Sequence, residues 1–418
     1  PANDLPMFNR AIQGEYAPGS TFKLFTAHAA WHDGVFGVGA IPRADELWDD
    51  PGAYILRGCG DVDPRDPPPG CRYINAGEKP YDDVDLIRSL TVSSDVYYYR
   101  IGESIYVNPN HRDTAIQDAA GAYGLGLETG ITLPFEQAGY LPTPASRRYR
   151  NELNPVAFPE WGWSTGDNVI TAIGQGEVLV TPLQLANAFA TFANGGVRLS
   201  PNVVSRVVER DGSVVRQFGS RVLSEVEMDP GFRWRVLEGL SGVTADEEGT
   251  AYRAFNSMDT GGTYFPLETY PVAGKTGTAE VRGKADTSLF AAFGPVREPT
   301  FAIAAVLEEA GFGSSVAAPL VARIMEKVAE GTVPEAPLAS VRYARSVALP
   351  LCLEWYEWRS GDTLDRLEAA DPSSAETGGP ELDASGTVRV RGIRVDCDDL
   401  VDEVLAVFEN RAGTGVDG

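Results

Sequence analysis

Long apolar runs are missing from this chain: 43% of its 418 residues are hydrophobic, yet no stretch reaches the ~20 consecutive apolar residues that a bilayer-spanning helix requires. Cations are scarce beside acids. Thirty-five Lys and Arg face 59 Asp and Glu, a formal net charge of −24. That balance argues against nucleic acid as a partner, because phosphate binding draws on clustered Lys and Arg. Histidine and cysteine are also few, three and four, and they form neither the paired C-x-x-C nor the H-E-x-x-H spacing that makes a zinc assignment strong. His28 and His32 at i, i+4 and Asp61, Asp63 and Asp66 around Cys59 come nearest to a ligand set; packing and surface roles account for them without a metal. No internal repeat is found.

The four cysteines fall as two local pairs, Cys59 with Cys71 and Cys352 with Cys397, flanked by polar or Pro-rich segments. An even count in loop-like sequence fits disulfides outside the cytoplasm, although spacing alone does not fix connectivity.

Periodicity places the main elements. Residues 20–33 read as a helix, followed by a Pro-, Gly- and Asp-dense segment that reads as loop or short hairpin. Helical spacing returns at Val84, Ile87, Leu90 and Val92, just before Ser93-Ser94-Asp95, and again over 113–126, ending at glycine. The stretch 139–163, with prolines at 142, 144, 155 and 159, reads as irregular. "TPLQLANAFATFANGG" is the clearest helix, with Thr181 as its N-cap and Gly195-Gly196 as its stop. "VVSRVVERDGSVVRQF" alternates around Asp211-Gly212 as a hairpin does. After a helix near 228–241, three strand-like runs joined by short turns predict an antiparallel meander, which the helix "APLVARIMEKVAEG" can cover. Residues 1–332 thus form one α+β domain. Residues 333–418 read as a partly flexible, acidic C-terminal extension with a small strand-plus-helix element, "TVRVRGIRVDCDDLVDEVLAVFENR".

Chemistry enters at "YAPGSTFK". Ser20 is a good helix N-cap, but a capping box would set Glu or Gln three residues on, and Lys23 stands there. At the positive end of a helix the ammonium form of Lys23 is disfavoured, more so if buried, and a neutral amine beside a hydroxyl is a general base. Ser-x-x-Lys alone is weak. Its company is not: Ser93-Ser94-Asp95 and then Lys275-Thr276-Gly277-Thr278 follow in order, and S-x-x-K, S-D-N and K-T-G together are the signature of penicillin-binding proteins and class A β-lactamases.

With these motifs and the blocks "AYGLGLETGITLP", "IGQGEVLVTPLQLANAFATFANGG" and "VAGKTGTAE", the chain resembles the transpeptidase domain of class B penicillin-binding proteins, most like the cell-elongation type, over about residues 8–330. The resemblance implies an α+β fold shared with serine β-lactamases, an antiparallel sheet flanked by helices plus an all-helical subdomain. It implies a peptidoglycan D,D-transpeptidase that β-lactams inhibit covalently. Ser20 would attack the carbonyl between the two D-alanines of a stem peptide and Lys23 would take its proton. Ser93 would relay a proton to the leaving amine, and Asp95 would contact Lys23 or substrate. The family more often has Asn at the position of Asp95. Lys275, Thr276 and Thr278 would hold the terminal carboxylate, Gly277 would let the peptide approach the strand, and the amides of Ser20 and Thr278 would form the oxyanion hole. Gln175, Thr181 and Gln184 read as structural.

By the same resemblance the protein works outside the cytoplasmic membrane, needs neither metal nor cofactor, and partners a glycan polymerase of the shape-elongation-division-sporulation family within the elongation complex. Relatives carry a membrane helix, a pedestal domain and the first strands of the catalytic sheet before their Ser-x-x-Lys helix, whereas 19 residues precede Ser20 here. A missing N-terminal segment or another chain is therefore expected to complete the fold. The rivals are a D,D-carboxypeptidase, a β-lactamase-like hydrolase, and a non-catalytic β-lactam sensor or scaffold. "RNELNP" resembles the E-x-E-L-N loop of class A β-lactamases, but Arg150 occupies the place of the catalytic Glu.

Overall fold

In the computed structural model the described residues are 8–39, 41–257, 263, 265–332, 381–382, 387–390 and 393–397. They fall into two compact units, Pro1–Thr263 with Leu267–Arg323, and Tyr264–Pro266 with Ile324–Gly418. The motifs of interest all belong to the first.

That unit begins with a short helix α1 (Arg10–Gln13), then a 3₁₀ turn (Gly19–Phe22) running into α2 (Lys23–His32). Four short strands follow, β1 (Trp48–Asp50), β2 (Ala53–Ile55), β3 (Arg72–Ile74) and β4 (Tyr81–Val84), with β2 paired to β3 and β1 to β4. Helices α3 (Leu86–Thr91), α4 (Asp95–Val107), α5 (Ala115–Ala122), α6 (Pro144–Leu153), α7 (Thr165–Thr171) and α8 (Pro182–Ala193) come next. Strands β5 (Val197–Leu199), β6 (Arg206–Val208), β7 (Val214–Gln217) and β8 (Val222–Glu225) lead to α9 (Pro230–Ala245) and α10 (Tyr252–Asn256). The sheet of β9 (Ala273–Ala279), β10 (Thr287–Gly294) and β11 (Phe301–Leu307) is the expected antiparallel meander, in the order β11-β10-β9. Helix α11 (Ala317–Thr332) closes the series.

β9 and β10 are buried on both faces, because α8 packs on β10 and β11 while α9 and the 3₁₀ turn pack on β9. The core between them is aromatic: Phe22, Phe25, Phe189, Phe192, Phe232 and Phe293 belong to one continuous cluster. This is the α+β arrangement expected from the sequence. The 139–163 stretch departs from expectation, since α6 forms within it. Pro144 stands in its first turn and Thr143 with Ser146 makes a reciprocal capping box, so the proline that reads as a breaker is a helix start.

Cys59 and Cys71 are joined in a disulfide. Both sulfurs are thereby removed as thiolate ligands, and His28 and His32 have other partners. His28 packs against Phe232 and hydrogen-bonds the Tyr123 hydroxyl at 2.8 Å, with burial pushing its pKa down to about 4; His32 pairs with Asp33. Cys397 is also disulfide-bonded; Cys352, with which the sequence pairs it, lies outside the described residues. "TVRVRGIRV" contributes β13 (Thr387–Val390) and β14 (Ile393–Asp396), which with β12 (Glu381–Leu382) form a separate three-stranded sheet. The helix expected after it lies outside the described residues.

Candidate active site

The 3₁₀ turn is the foundation of the site. Gly19 adopts φ +53°, and a Cβ there would lie 2.5 Å from the Thr278 carbonyl oxygen, so glycine lets the turn press directly on β9. Ser20 sits inside this turn and α2 begins only at Lys23, with no side-chain cap at either start. The N-cap reading of Ser20 is thus overturned. Its hydroxyl donates instead to Asp95 Oδ1, 3.5 Å away.

Lys23 is fully buried, with Nζ 2.7 Å from Asp95 Oδ1, 2.8 Å from the Ser93 carbonyl and 3.0 Å from Ser93 Oγ. Burial holds its pKa below the ordinary lysine value, against the opposing pull of Asp95 and then Asp50. Removing the ammonium from water costs more here than its ion pair returns, so the site favours neutral Lys23 more than water does.

Ser93-Ser94-Asp95 forms the corner between α3 and α4 rather than one continuous helix. Ser93 takes φ +62°, uncommon for a residue with a side chain, and this aims its carbonyl and hydroxyl at Lys23. Ser94 caps α4 through the Tyr97 amide at 3.1 Å. Asp95 is the first residue of α4, where the helix N-terminus favours a carboxylate.

The opposite wall is β9. Thr276 Oγ1 lies 2.7 Å from Thr250 Oγ1, and Thr278 Oγ1 accepts from the Gly313 amide at 3.3 Å. Between the walls opens a cavity of about 380 Å³ lined by Ser20, Ser93, Asp95, Thr276, Gly277 and Thr278, with Asn75, Gln175 and Thr250 beside them. The corner and the K-T-G-T strand, far apart in sequence, thus meet at Ser20.

Lys275 and Gly277 each also engage the protein itself. Lys275 is fully buried behind the cavity, its Nζ donating to the Thr276 carbonyl at 3.3 Å, and burial with the nearby Lys23 charge drives its pKa well down. Thr276 and Thr278, in contrast, line the cavity. Gly277 lacks a side chain for the protein's own sake: a Cβ there would lie 2.8 Å from the Pro18 carbonyl oxygen and 3.0 Å from Thr21 Cγ2. The glycine thus admits the Ser20 turn to the strand, and it also lines the cavity.

Sequence reasoning missed Asn75 and Thr250 altogether and kept Gln175 structural, yet Gln175 Nε2 donates to the Thr278 carbonyl at 3.2 Å at the cavity wall. Its place in the "IGQGE" block was the available signal. Thr181 and Gln184 do form a capping box on α8. Arg150 of "RNELNP" is ion-paired to Glu177, a structural engagement.

A hydroxyl, a buried amine and a carboxylate gathered beside a K-T-G-T strand, on an α+β fold, match the motif set shared by penicillin-binding proteins and class A β-lactamases. The comparisons make the family specific. The penicillin-binding protein transpeptidase domain matches residues 2–54 and 62–326, and the chain belongs to that family. It is 28% identical to the peptidoglycan D,D-transpeptidase MrdA of Haemophilus influenzae over 354 residues, 80% of this chain and 48% of that protein. It therefore spans about half the length of this curated relative. Pseudomonas aeruginosa PBP2, solved in complex with WCK 5153, matches with a TM-score of 0.61 at 27% identity, over 77% of this chain and 63% of that one. A chain from a peptidoglycan synthase complex, solved for its coordination of polymerization and crosslinking, matches with a TM-score of 0.57 at 28% identity, over 77% of this chain and 48% of that one.

Proposed function

We propose that this chain is the catalytic part of a peptidoglycan D,D-transpeptidase that cross-links stem peptides through a Ser20 acyl-enzyme. The observation that carries the reading is Asp95 Oδ1, which receives both the Ser20 hydroxyl at 3.5 Å and Lys23 Nζ at 2.7 Å, holding nucleophile and base side by side.

Neutral Lys23 takes the Ser20 proton as Oγ bonds to the carbonyl carbon of the penultimate D-alanine. The oxyanion turns toward the amides of Ser20 and Thr278, each donor contributing about 2.7–4 kcal/mol to the transition state. The Lys23 ammonium, stabilised by Asp95, passes its proton through Ser93 Oγ to the departing D-alanine nitrogen as the C–N bond breaks. The amine of a second stem peptide then attacks the acyl-enzyme, giving its proton back through the same pair as Ser20 leaves. Thr276, Thr278 and Thr250 offer hydroxyls to the donor's terminal carboxylate, whose charge would favour the ammonium form of Lys275 behind them against the burial that disfavours it. A β-lactam carbonyl enters the same path, its leaving nitrogen tethered.

The Cys59–Cys71 disulfide fits work on the extracytoplasmic side of the membrane. The similarity to MrdA and to a chain of a peptidoglycan synthase complex that coordinates polymerization and crosslinking supports a role in cell-wall synthesis, for which we propose elongation with a glycan polymerase as partner. Incubating the protein with a D-Ala-D-Ala pentapeptide donor and an amine acceptor, with products weighed by mass spectrometry, tests this. Aminolysis product is expected. Hydrolysis product alone would indicate a carboxypeptidase, rapid penicillin turnover a β-lactamase, and no reaction a scaffold; each would overturn the reading.

A further inference from the structure

We propose that Asn75, carried on the disulfide-closed β2–β3 hairpin, is a positioning residue that sets the Ser93–Asp95 corner; the proposal rests on the serine acyl-transfer reading above. Asn75 follows β3 directly and is almost wholly buried. Its Oδ1 accepts from the amides of Asp95 at 2.8 Å and Val96 at 3.0 Å, and its Nδ2 donates to Asp50 Oδ2 and to the Lys79 carbonyl, both at 2.8 Å. The chemistry fixes this orientation, since the amides can only donate and the carbonyl can only accept. The two amides belong to the first turn of α4, where no helix carbonyl is available to them. Residue 75 therefore supplies part of the cap of the helix that begins with Asp95. Asp50 completes the arrangement by accepting from Ser94 Oγ at 2.6 Å and the Gly52 amide at 2.7 Å.

The hairpin that delivers Asn75 is fastened to α4 a second time. Glu103, fully buried eight residues along α4, accepts from the Tyr54 hydroxyl and from Arg57 N and Nε, both at 2.8 Å. The Leu56 amide donates to the Cys71 carbonyl at 2.9 Å, and the disulfide ties Cys71 back to Cys59 beyond Arg57. Leu56, Val96, Tyr99 and Val169 fill the space between. The position of the Asp95 carboxylate against Lys23 and Ser20 thus depends on a hairpin outside the three motifs, held by a bond that reduction opens.

Penicillin acylation rates as a function of pH, with amide hydrogen exchange at Asp95 and Val96, test the proposal on the full chain. In Asn75→Ala, exchange at both amides is expected to quicken at least ~10-fold and acylation to slow by ~10- to 100-fold, the scale of a misplaced catalytic group. The acid limb of the rate profile should move to lower pH, because a loosened Asp95 no longer raises the pKa of Lys23. Asn75→Asp keeps an acceptor at both amides but sets a second carboxylate against Asp50; exchange should remain slow and the limb should move to higher pH. Cys59→Ser/Cys71→Ser should shift exchange and rate in the direction of Asn75→Ala, by less. If Asn75→Ala does not fold, Asn75→Asp carries the test. An unmoved limb in Asn75→Asp, or Asn75→Ala with unchanged exchange and acylation within twofold of wild type, overturns the proposal. Wild-type protein that penicillin fails to acylate defeats the enzymatic reading, while the exchange result still decides the positioning role.

Discussion

Adding one methyl group at Gly277 measures how closely β9 must press on the Ser20 turn. The new Cβ of Gly277→Ala would sit 2.8 Å from the Pro18 carbonyl oxygen, with Thr21 Cγ2 at 3.0 Å and Leu289 Cβ at 3.1 Å. Ordinary contact begins near 3.4 Å, so the strand and the turn must part by about 0.6 Å. The nearest obstacle is backbone, and both neighbours on the turn side are tied in place: Thr21 donates to Pro18 at 2.7 Å, and Gly19 donates to Gly174 at 2.9 Å. Overpacking of this kind costs typically 1–3 kcal/mol of stability, a lowering of melting temperature of about 2–5 °C for a domain of this size. The parting also moves the Thr278 amide relative to Ser20. Since a 1 Å misplacement can cost 10²-fold in rate, stopped-flow acylation by a fluorescent penicillin should slow by ~10- to 100-fold. A variant that acylates at the wild-type rate would refute the argument that this contact sets the oxyanion geometry, whatever happens to its melting temperature.

Three further outcomes are expected. Asp95→Asn removes the 2.7 Å ion pair to Lys23, and because Asp95 opposes the burial that lowers the Lys23 pKa, the acid limb of the acylation profile should shift to lower pH; a shift to higher pH would contradict it. Lys275→Met should abolish most acylation yet raise the melting temperature at neutral pH, since burial disfavours the ammonium that the unfolded chain carries and a hydrophobe of similar length bears no such cost. The sign follows from the lowered Lys275 pKa: between its folded value and the unfolded value of about 10.4 the unfolded chain binds more protons, so wild-type stability rises with pH through that window. The advantage of Lys275→Met should fade there, as melting curves taken across the pH range would show. Arg150→Ala breaks the pair with Glu177 and should alter melting but leave the stability of the penicilloyl adduct within about twofold, measured by its decay.

Ser20, Lys23, Ser93 and Lys275 were legible in the sequence because each motif is local: three-residue spacing on a forming helix, a polar corner, a strand opening. The clearest helix, α8, was equally legible, since Thr181, Pro182 and Gly195-Gly196 mark its ends with backbone chemistry. Where sequence reasoning went astray, a tertiary contact decided the matter. The setting of Ser20 was not legible: it lies in a 3₁₀ turn docked on β9, and its hydroxyl faces Asp95 rather than capping a helix. Gly277 read as room for a peptide at the strand, and its close contact with Pro18 and Thr21 was not legible. Thr250 and Asn75 carried no signal: Thr250 reaches Thr276 across 26 residues and Asn75 reaches Asp95 across 20, and no periodicity encodes such pairings. The proline-marked α6 failed for a different reason, because the same residue ends one helix and begins another depending on the cap that precedes it.

The most direct measurement is the intact mass of the protein after exposure to benzylpenicillin, followed by peptide mapping of the adduct. One penicilloyl group per chain, on the peptide that contains Ser20 and absent from Ser20→Ala, is the expected result. An adduct on another residue, or none on a folded wild-type chain, would contradict Ser20 as the nucleophile and with it the acyl-transfer function.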